Sequence, residues 1–360
     1  MTKKELFNIS IEEPSAQVYD RAKSRFDHLA KPIDGFGRFE DLICRIAAIQ
    51  GKDIPDISNK CLIIMCSDNG VVLEGVSQSD SRVTASVAGL MGKNMSTVGK
   101  MTESYPVRII PVDIGIDSDN RIEGVLDRKI ARGTGNIAKE PAMTLQMCLD
   151  AIQTGIDMVE SCISEGTEII ATGEMGIGNT TCATALFCAL TGRKASEITG
   201  RGAGLSNEGL ARKISVITDT VLHHGLANCP DTPGREYAVD ALTKVGGLDI
   251  AGLIGVFIGG ALYHIPVVID GAISAVAAFT AHYIVPGCEG YMIASHKGRE
   301  ACTVALGMMG LTPVIDADMA LGEGTGAVML FPMLDMIMSY FTGGTSFEET
   351  DIAGYERFDR

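Results

Sequence analysis

The sequence predicts an α/β fold, a parallel sheet with flanking helices. Three observations carry that expectation. Apolar runs about one strand long recur along the chain. Most end in glycine beside an acidic residue and lead into a stretch of helical pattern. Glycine is frequent, at 42 of 360 residues, while aromatics make up only 5% and tryptophan is absent, which suits many tight strand-to-helix turns. At ~150 residues per domain the length suggests two domains, or one large domain with an appendage.

Taken in order, residues 1–50 are polar and helical in pattern, interrupted by the loop Lys31-Pro32-Ile33-Asp34-Gly35-Phe36-Gly37. The first strand is expected at Lys60–Cys66, ending in Ser67-Asp68-Asn69-Gly70, and the second at Val107–Asp113. A third is expected at Glu168–Glu174 and a fourth at Ile265–Gly271. Two shorter runs, Tyr291–Ser295 and Thr312–Asp316, extend the pattern. Ala327–Tyr340 is an apolar helix, and residues 343–360 read as a polar tail. Ligands of open α/β sheets bind at the carboxyl ends of the strands, which gathers Asp68, Asp113, Glu174 and Asp270 around one expected crevice.

Charge narrows the function. Thirty basic against 45 acidic residues leave a net charge of −15, which disfavours nucleic acid and anionic membrane surfaces as partners. An anionic small molecule is still admissible, because helix N-termini supply local positive potential. None of the ten cysteines forms a C-x-x-C pair, so they read as reduced thiols of a cytoplasmic protein. The most apolar stretch, Ile250–Ala281, is broken by Gly259-Gly260, His264, Pro266, Asp270 and Gly271 and reads as buried helix and strand rather than a membrane span. The six histidines show no metal-ligand spacing, so neither metal nor cofactor is expected.

Three glycine-rich segments carry the candidate chemistry. In Gly173-Glu174-Met175-Gly176-Ile177-Gly178-Asn179-Thr180-Thr181 a strand turns into a helix, with room for a ligand against the backbone and N–H groups that favour an anion. It is neither a P-loop nor a dinucleotide fingerprint. Gly200-Arg201-Gly202-Ala203-Gly204-Leu205, followed by Arg212 and Lys213, is a second possible anion cradle, or simply a helix–helix loop. Leu321-Gly322-Glu323-Gly324-Thr325-Gly326-Ala327 sets a carboxylate between glycines before a helix. Partial burial would raise the pKa of Glu323 and suit it to general base work; an acid favoured by the helix dipole is the alternative.

Together with Gly35-Phe36-Gly37-Arg38, Asp68-Asn69-Gly70-Val71, Glu74-Gly75-Val76-Ser77, Val112-Asp113-Ile114-Gly115, Gly133-Thr134-Gly135-Asn136, Val245–Ala251 and Ala294-Ser295-His296, these motifs span most of the chain. In that order they resemble the nicotinate-nucleotide–dimethylbenzimidazole phosphoribosyltransferases of cobalamin biosynthesis. The resemblance implies a Rossmann-like large domain, 51–326, and a small helical domain from both chain ends, 1–50 and 327–360. It implies transfer of phosphoribose from nicotinate mononucleotide to an aromatic base, giving an α-linked nucleotide and nicotinate. It also implies a dimer. The family's catalytic glutamate falls on Glu323 and a second acidic position on Glu174. Substrate contacts are expected at Gly176, Gly178, Asn179, Thr180, Gly202, Ala203, Gly204, Lys213, Asp270, Ser295 and Gly322. A base pocket is expected at Ser77, Ser79, Ser81 and Met175.

One segment departs from the family. After Gly-Val-Ser the family usually shows a small residue, an aromatic and Pro-Gln before Val-Thr, whereas here Gln78-Ser79-Asp80-Ser81-Arg82 stands before Val83-Thr84. Hydroxyls in place of an aromatic point to a different acceptor, such as a purine, a substituted benzimidazole or a phenol attacked through oxygen. Phenol-using relatives work as pairs of unlike subunits, so the partner is expected to be a second copy or a paralogue. Two other readings are a non-catalytic subunit that stabilises an active paralogue, which the presence of both glutamates disfavours, and a dehydrogenase, for which no fingerprint is present.

Overall fold

The computed structural model describes residues 1–299 and 301–358. Its centre is a six-stranded parallel sheet made of β1 (Lys60–Ser67), β2 (Arg108–Gly115), β3 (Leu126–Asp127), β4 (Ile169–Met175), β5 (Val267–Ile269) and β6 (Met292–Ala294). The spatial order is β3-β2-β1-β4-β5-β6. This is the Rossmann order, in which the direction of winding reverses between β1 and β4 and a crevice opens at their carboxyl ends.

Every residue of β1 is buried, as a strand covered on both faces requires. Its side chains alternate between two helical layers. Met65 faces Gly252 in the helix Leu248–Leu262, and Leu62 faces Gly324 at the start of the helix Thr325–Gly343. The helix Leu145–Ser164 lies against Leu248–Leu262 so closely that glycine is required on both. A methyl group on Gly155 would collide with the Gly252 carbonyl, and one on Gly255 with the Ile152 carbonyl.

The chain ends meet. Helices Ala16–His28, Arg38–Gln50 and Thr325–Gly343 share a cluster in which the Phe26 and Phe341 rings lie 4.7 Å apart. Ala30 N–H donates to Thr345 O at 2.8 Å, and Arg357 clamps both Asp27 and Asp34. The expected polar tail is therefore anchored as far as Arg357; Asp359 and Arg360 lie outside the described residues. Thr325–Gly343 is long and apolar enough to cross a membrane. Here Leu330, Phe331, Leu334 and Phe341 are buried in protein, and Asp335 pairs with Lys60.

One expectation needs correction and one strand was not foreseen. Thr312–Asp316 is not a strand; it makes one bridge, Ile315 to His296, because Pro313 offers no N–H to a ladder. The edge strand β3 is only two residues long and gave no apolar run to read.

Gly155→Ala is expected to lower unfolding free energy by about 3 kcal/mol, since backbone on the facing helix cannot yield as a side chain can. Urea denaturation of the purified variant checks this.

Candidate active site

A cavity of about 600 Å³ opens at the carboxyl ends of β4, β5 and β6, within the range of small-molecule sites. Both expected catalytic acids, Glu174 and Glu323, line it. So do Met175, Gly176, Gly178, Asn179, Thr180, Gly202, Ala203, Lys213, Asp270 and Gly322, and on the opposite wall Ser77 and Ser79.

Three expected residues do not line it. Ser295 is fully buried and donates to Ile269 O at 2.6 Å, so its hydroxyl is used inside the sheet; its neighbour His296 faces the cavity instead. Ser81 immediately precedes the helix Arg82–Gly92, where its carbonyl accepts from Thr84 N–H. The carbonyl of Gly204 takes the side-chain amide of Gln78, holding that end of the loop away from the cavity wall. The expected crevice of Asp68, Asp113, Glu174 and Asp270 is also only half realised. Asp113 accepts from Ile116 N–H and pairs with Lys129 at 3.1 Å in a separate hollow. Asp68 accepts from Asp117 N–H at 2.8 Å and ties down a loop.

Glu174 closes β4 and is 9% exposed. Its Oε2 accepts from the Asn179 amide, and the same amide nitrogen donates to Asp249 Oδ2 at 2.9 Å. One NH₂ group thus links two buried carboxylates. Burial pushes the Glu174 carboxyl up to about 8, with the charges of Asp249, Asp270 and Glu323 adding to the shift and the Asn179 bond opposing it. Burial pushes Asp249 to about 6, against the bonds from Asn179 and Ile250 N–H. At neutral pH the cluster therefore holds a protonated Glu174 beside an ionised Asp249. Asp249 was not singled out from sequence. The signal was present, since Gly246-Gly247 precede it and a helix follows, as at Glu323.

Glu323 sits on a turn of unusual backbone. Gly322, Glu323 and Gly324 have φ of +91°, +59° and +82°, three left-handed residues in succession. A non-glycine residue there costs about 1–2 kcal/mol. Thr325 closes the turn, its N–H and hydroxyl both donating to Gly322 O, at 3.0 and 2.8 Å. The backbone of Glu323 lies against Gly173, where a methyl group would stand 2.9 Å from its carbonyl carbon. A methyl on Gly322 would meet Glu174 Oε1 at 2.8 Å. Each of these two glycines thus faces the glutamate of the other motif, which brings the two loops together. The Glu323 carboxylate is half-buried and accepts from Val98 N–H at 3.3 Å.

Another part of the cavity lining suits an anion. The helix Asn179–Thr191 begins there after left-handed Gly178, and helix N-termini favour negative charge. Lys213, fully buried, donates to Thr180 Oγ1 at 2.8 Å and to Gly200 O at 3.2 Å. Arg201 braces the loop through Leu205 O and Asn207 Oδ1. Asp27, Asp34 and Glu40 are the one acidic grouping among the described residues compact enough for a metal ion. They lie at the packed chain ends, against Lys23, Lys31 and Arg357.

Comparison with known proteins shows what the chain as a whole is similar to. A family model described as phosphoribosyltransferase matches residues 11–352. The chain is 40% identical over 349 residues to the nicotinate-nucleotide–dimethylbenzimidazole phosphoribosyltransferase of Acetivibrio thermocellus, covering 96% of this chain and 97% of that one. It is 39% identical over 360 residues to the protein of the same name from Ruminiclostridium cellulolyticum, covering 99% of each. The solved structure of CobT from Thermus thermophilus is similar with a TM-score of 0.86 and 32% identity, over 94% of this chain and 99% of that one.

The raised carboxyl of Glu174 has a consequence for stability. The folded state keeps this proton between about pH 4.5 and 8 while the unfolded chain loses it, so its contribution to stability falls as pH rises through that window, by up to about 1.4 kcal/mol per unit. Glu174→Gln abolishes the titration. Relative to the unaltered protein, the variant is expected to gain about 2 kcal/mol between pH 6 and 8, read from denaturant unfolding at each pH.

Proposed function

The chain belongs to this phosphoribosyltransferase family, and from that premise we propose that it transfers phosphoribose from nicotinate mononucleotide to an aromatic base, in the cytoplasm, for the lower ligand of a cobamide. The bond between the nicotinate nitrogen and the anomeric carbon breaks, and its electron pair leaves with nicotinate. The acceptor attacks that carbon from the opposite face and gives an α-linked nucleotide. Glu323 takes the acceptor's proton.

The chemistry asks little more of the protein. The leaving group is already a pyridinium and needs no acid. Positive charge builds at the anomeric carbon, as in glycoside cleavage, next to a carboxylate-rich wall. Protonated at neutral pH, Glu174 serves as a hydrogen-bond donor to a ribose hydroxyl rather than as a counter-charge. Gly176, Gly202, Thr180 and Lys213 form the 5′-phosphate end. The observation that carries this reading is the meeting of Glu323 and Glu174 across the glycine pair Gly173 and Gly322, with a built anion end in the same cavity.

On the acceptor wall, Ser77 and Ser79 stand with Val83, Val87 and Met175, without a phenylalanine, tyrosine or tryptophan among the described lining residues. Such a wall suits an acceptor ring with a polar edge. The assembly is a dimer in this reading, of two copies or of this chain with a paralogue.

Incubation with nicotinate mononucleotide and a panel of acceptors, read by mass spectrometry, tests the reaction; no nicotinate release with any acceptor, alone or with a paralogue, would sink it. Glu323→Gln is expected to fold as the unaltered chain does and to lose turnover by about 10²–10⁴-fold, the usual worth of a general base. In the same panel, kcat/KM is expected to favour a hydroxyl- or amino-bearing ring over dimethylbenzimidazole by roughly 10-fold, since the half-buried Ser77 and Ser79 hydroxyls offer such a ring hydrogen bonds that the apolar ring cannot return.

A further inference from the structure

We infer that Asp270 is a positioning residue for the base: its carboxylate grips the backbone immediately after Glu323, at Gly324, Gly326 and Ala327, and that grip sets where the Glu323 carboxylate stands. The inference rests on the reading of Glu323 as the base.

Asp270 follows β5 and is 3% exposed. Although it borders the cavity, its oxygens are taken up by main-chain donors. Oδ2 accepts from Gly324 N–H at 3.2 Å, while Oδ1 accepts from Gly326 N–H at 2.8 Å and Ala327 N–H at 3.1 Å. These are the first N–H groups of the helix Thr325–Gly343, which has no side-chain cap of its own. A carboxylate from a neighbouring strand does that work. The bonds fall immediately after Glu323, where the backbone is left-handed at three successive residues. Strain of this kind persists only where the surroundings over-determine it. Asp270 supplies anchors on the far side of the turn, and Gly173 supplies the contact beneath it.

His296 completes the fit. Its ring fills the space beside Gly326, so that a methyl group there would collide with the ring and stand 3.0 Å from Asp270 Oδ1. The imidazole is itself held by the Ser295 hydroxyl at 3.0 Å. Ser295 thus stands one contact behind the cavity wall and acts through His296 on the same turn.

Asp270 was expected to touch substrate, and the two roles separate experimentally. Asp270→Asn keeps the side-chain volume but offers one acceptor oxygen and an NH₂ group that opposes one side of the turn. It is expected to lower kcat by about 10–100-fold while KM for nicotinate mononucleotide stays within about 3-fold. A substrate contact would instead raise KM. The decisive measurement is a double-mutant cycle with Glu323→Gln. If Asp270 acts through Glu323, adding Asp270→Asn to Glu323→Gln lowers single-turnover product formation by less than about 3-fold. Losses that multiply overturn the inference. Gly326→Ala disturbs the same contacts from the other side and is expected to behave alike in the cycle, which keeps the question decidable if Asp270→Asn does not fold. A Glu323→Gln variant that turns over normally would fail the base assignment itself, a result separate from multiplicative losses in a cycle where that variant is impaired.

Discussion

A parallel sheet covered on both faces admits a polar side chain along its length only where a partner is at hand, as for Thr172, whose hydroxyl donates to Val268 O at 2.9 Å. β1 shows the constraint plainly, with eight consecutive buried residues. Polar residues are therefore displaced to the strand ends, and the reversal of winding between β1 and β4 leaves those ends uncovered on one side. The cavity lies at the strand ends as this rule requires, although beside β4, β5 and β6 rather than centred on the reversal. Glu174 is the last polar residue β4 presents before it leaves the sheet, and Asp270 is the first after β5.

Gathering acids there carries an electrostatic penalty, and the structure disposes of it in two ways. Glu174 keeps its proton at neutral pH, and Asp249 and Asp270 are compensated by donors, the Asn179 amide for the first and helix N–H groups for the second. Buried carboxylates with matched donors are tolerated where unpaired ones are not. Glu323 alone among these four stands half in solvent.

The main features were legible in the sequence because they have local causes. The apolar runs gave five of the six strands, and an acid set between glycines gave both Glu174 and Glu323. What could not be read were contacts set by tertiary direction. Ser295 and His296 are adjacent, and only the strand's pleat decides which one faces the cavity. Ser81 looked like pocket lining until the start of a helix turned it away. Asp249 had the right local pattern, yet its link to Glu174 runs through Asn179, 70 residues distant. Likewise, Pro313 breaks what composition alone presents as a strand.

The helix Thr325–Gly343 begins at the glutamate turn and ends in the aromatic cluster where the two termini meet. Nineteen residues at ~1.5 Å each span roughly 28 Å, so one continuous helix, with Pro332 in its interior, joins the cavity to the periphery. Any occupant that steadies the turn deepens the free-energy well of that element as a whole. By thermodynamic reciprocity, the amides around Phe26 and Phe341 then gain protection from solvent exchange when the distant cavity fills, although nothing bound there touches them.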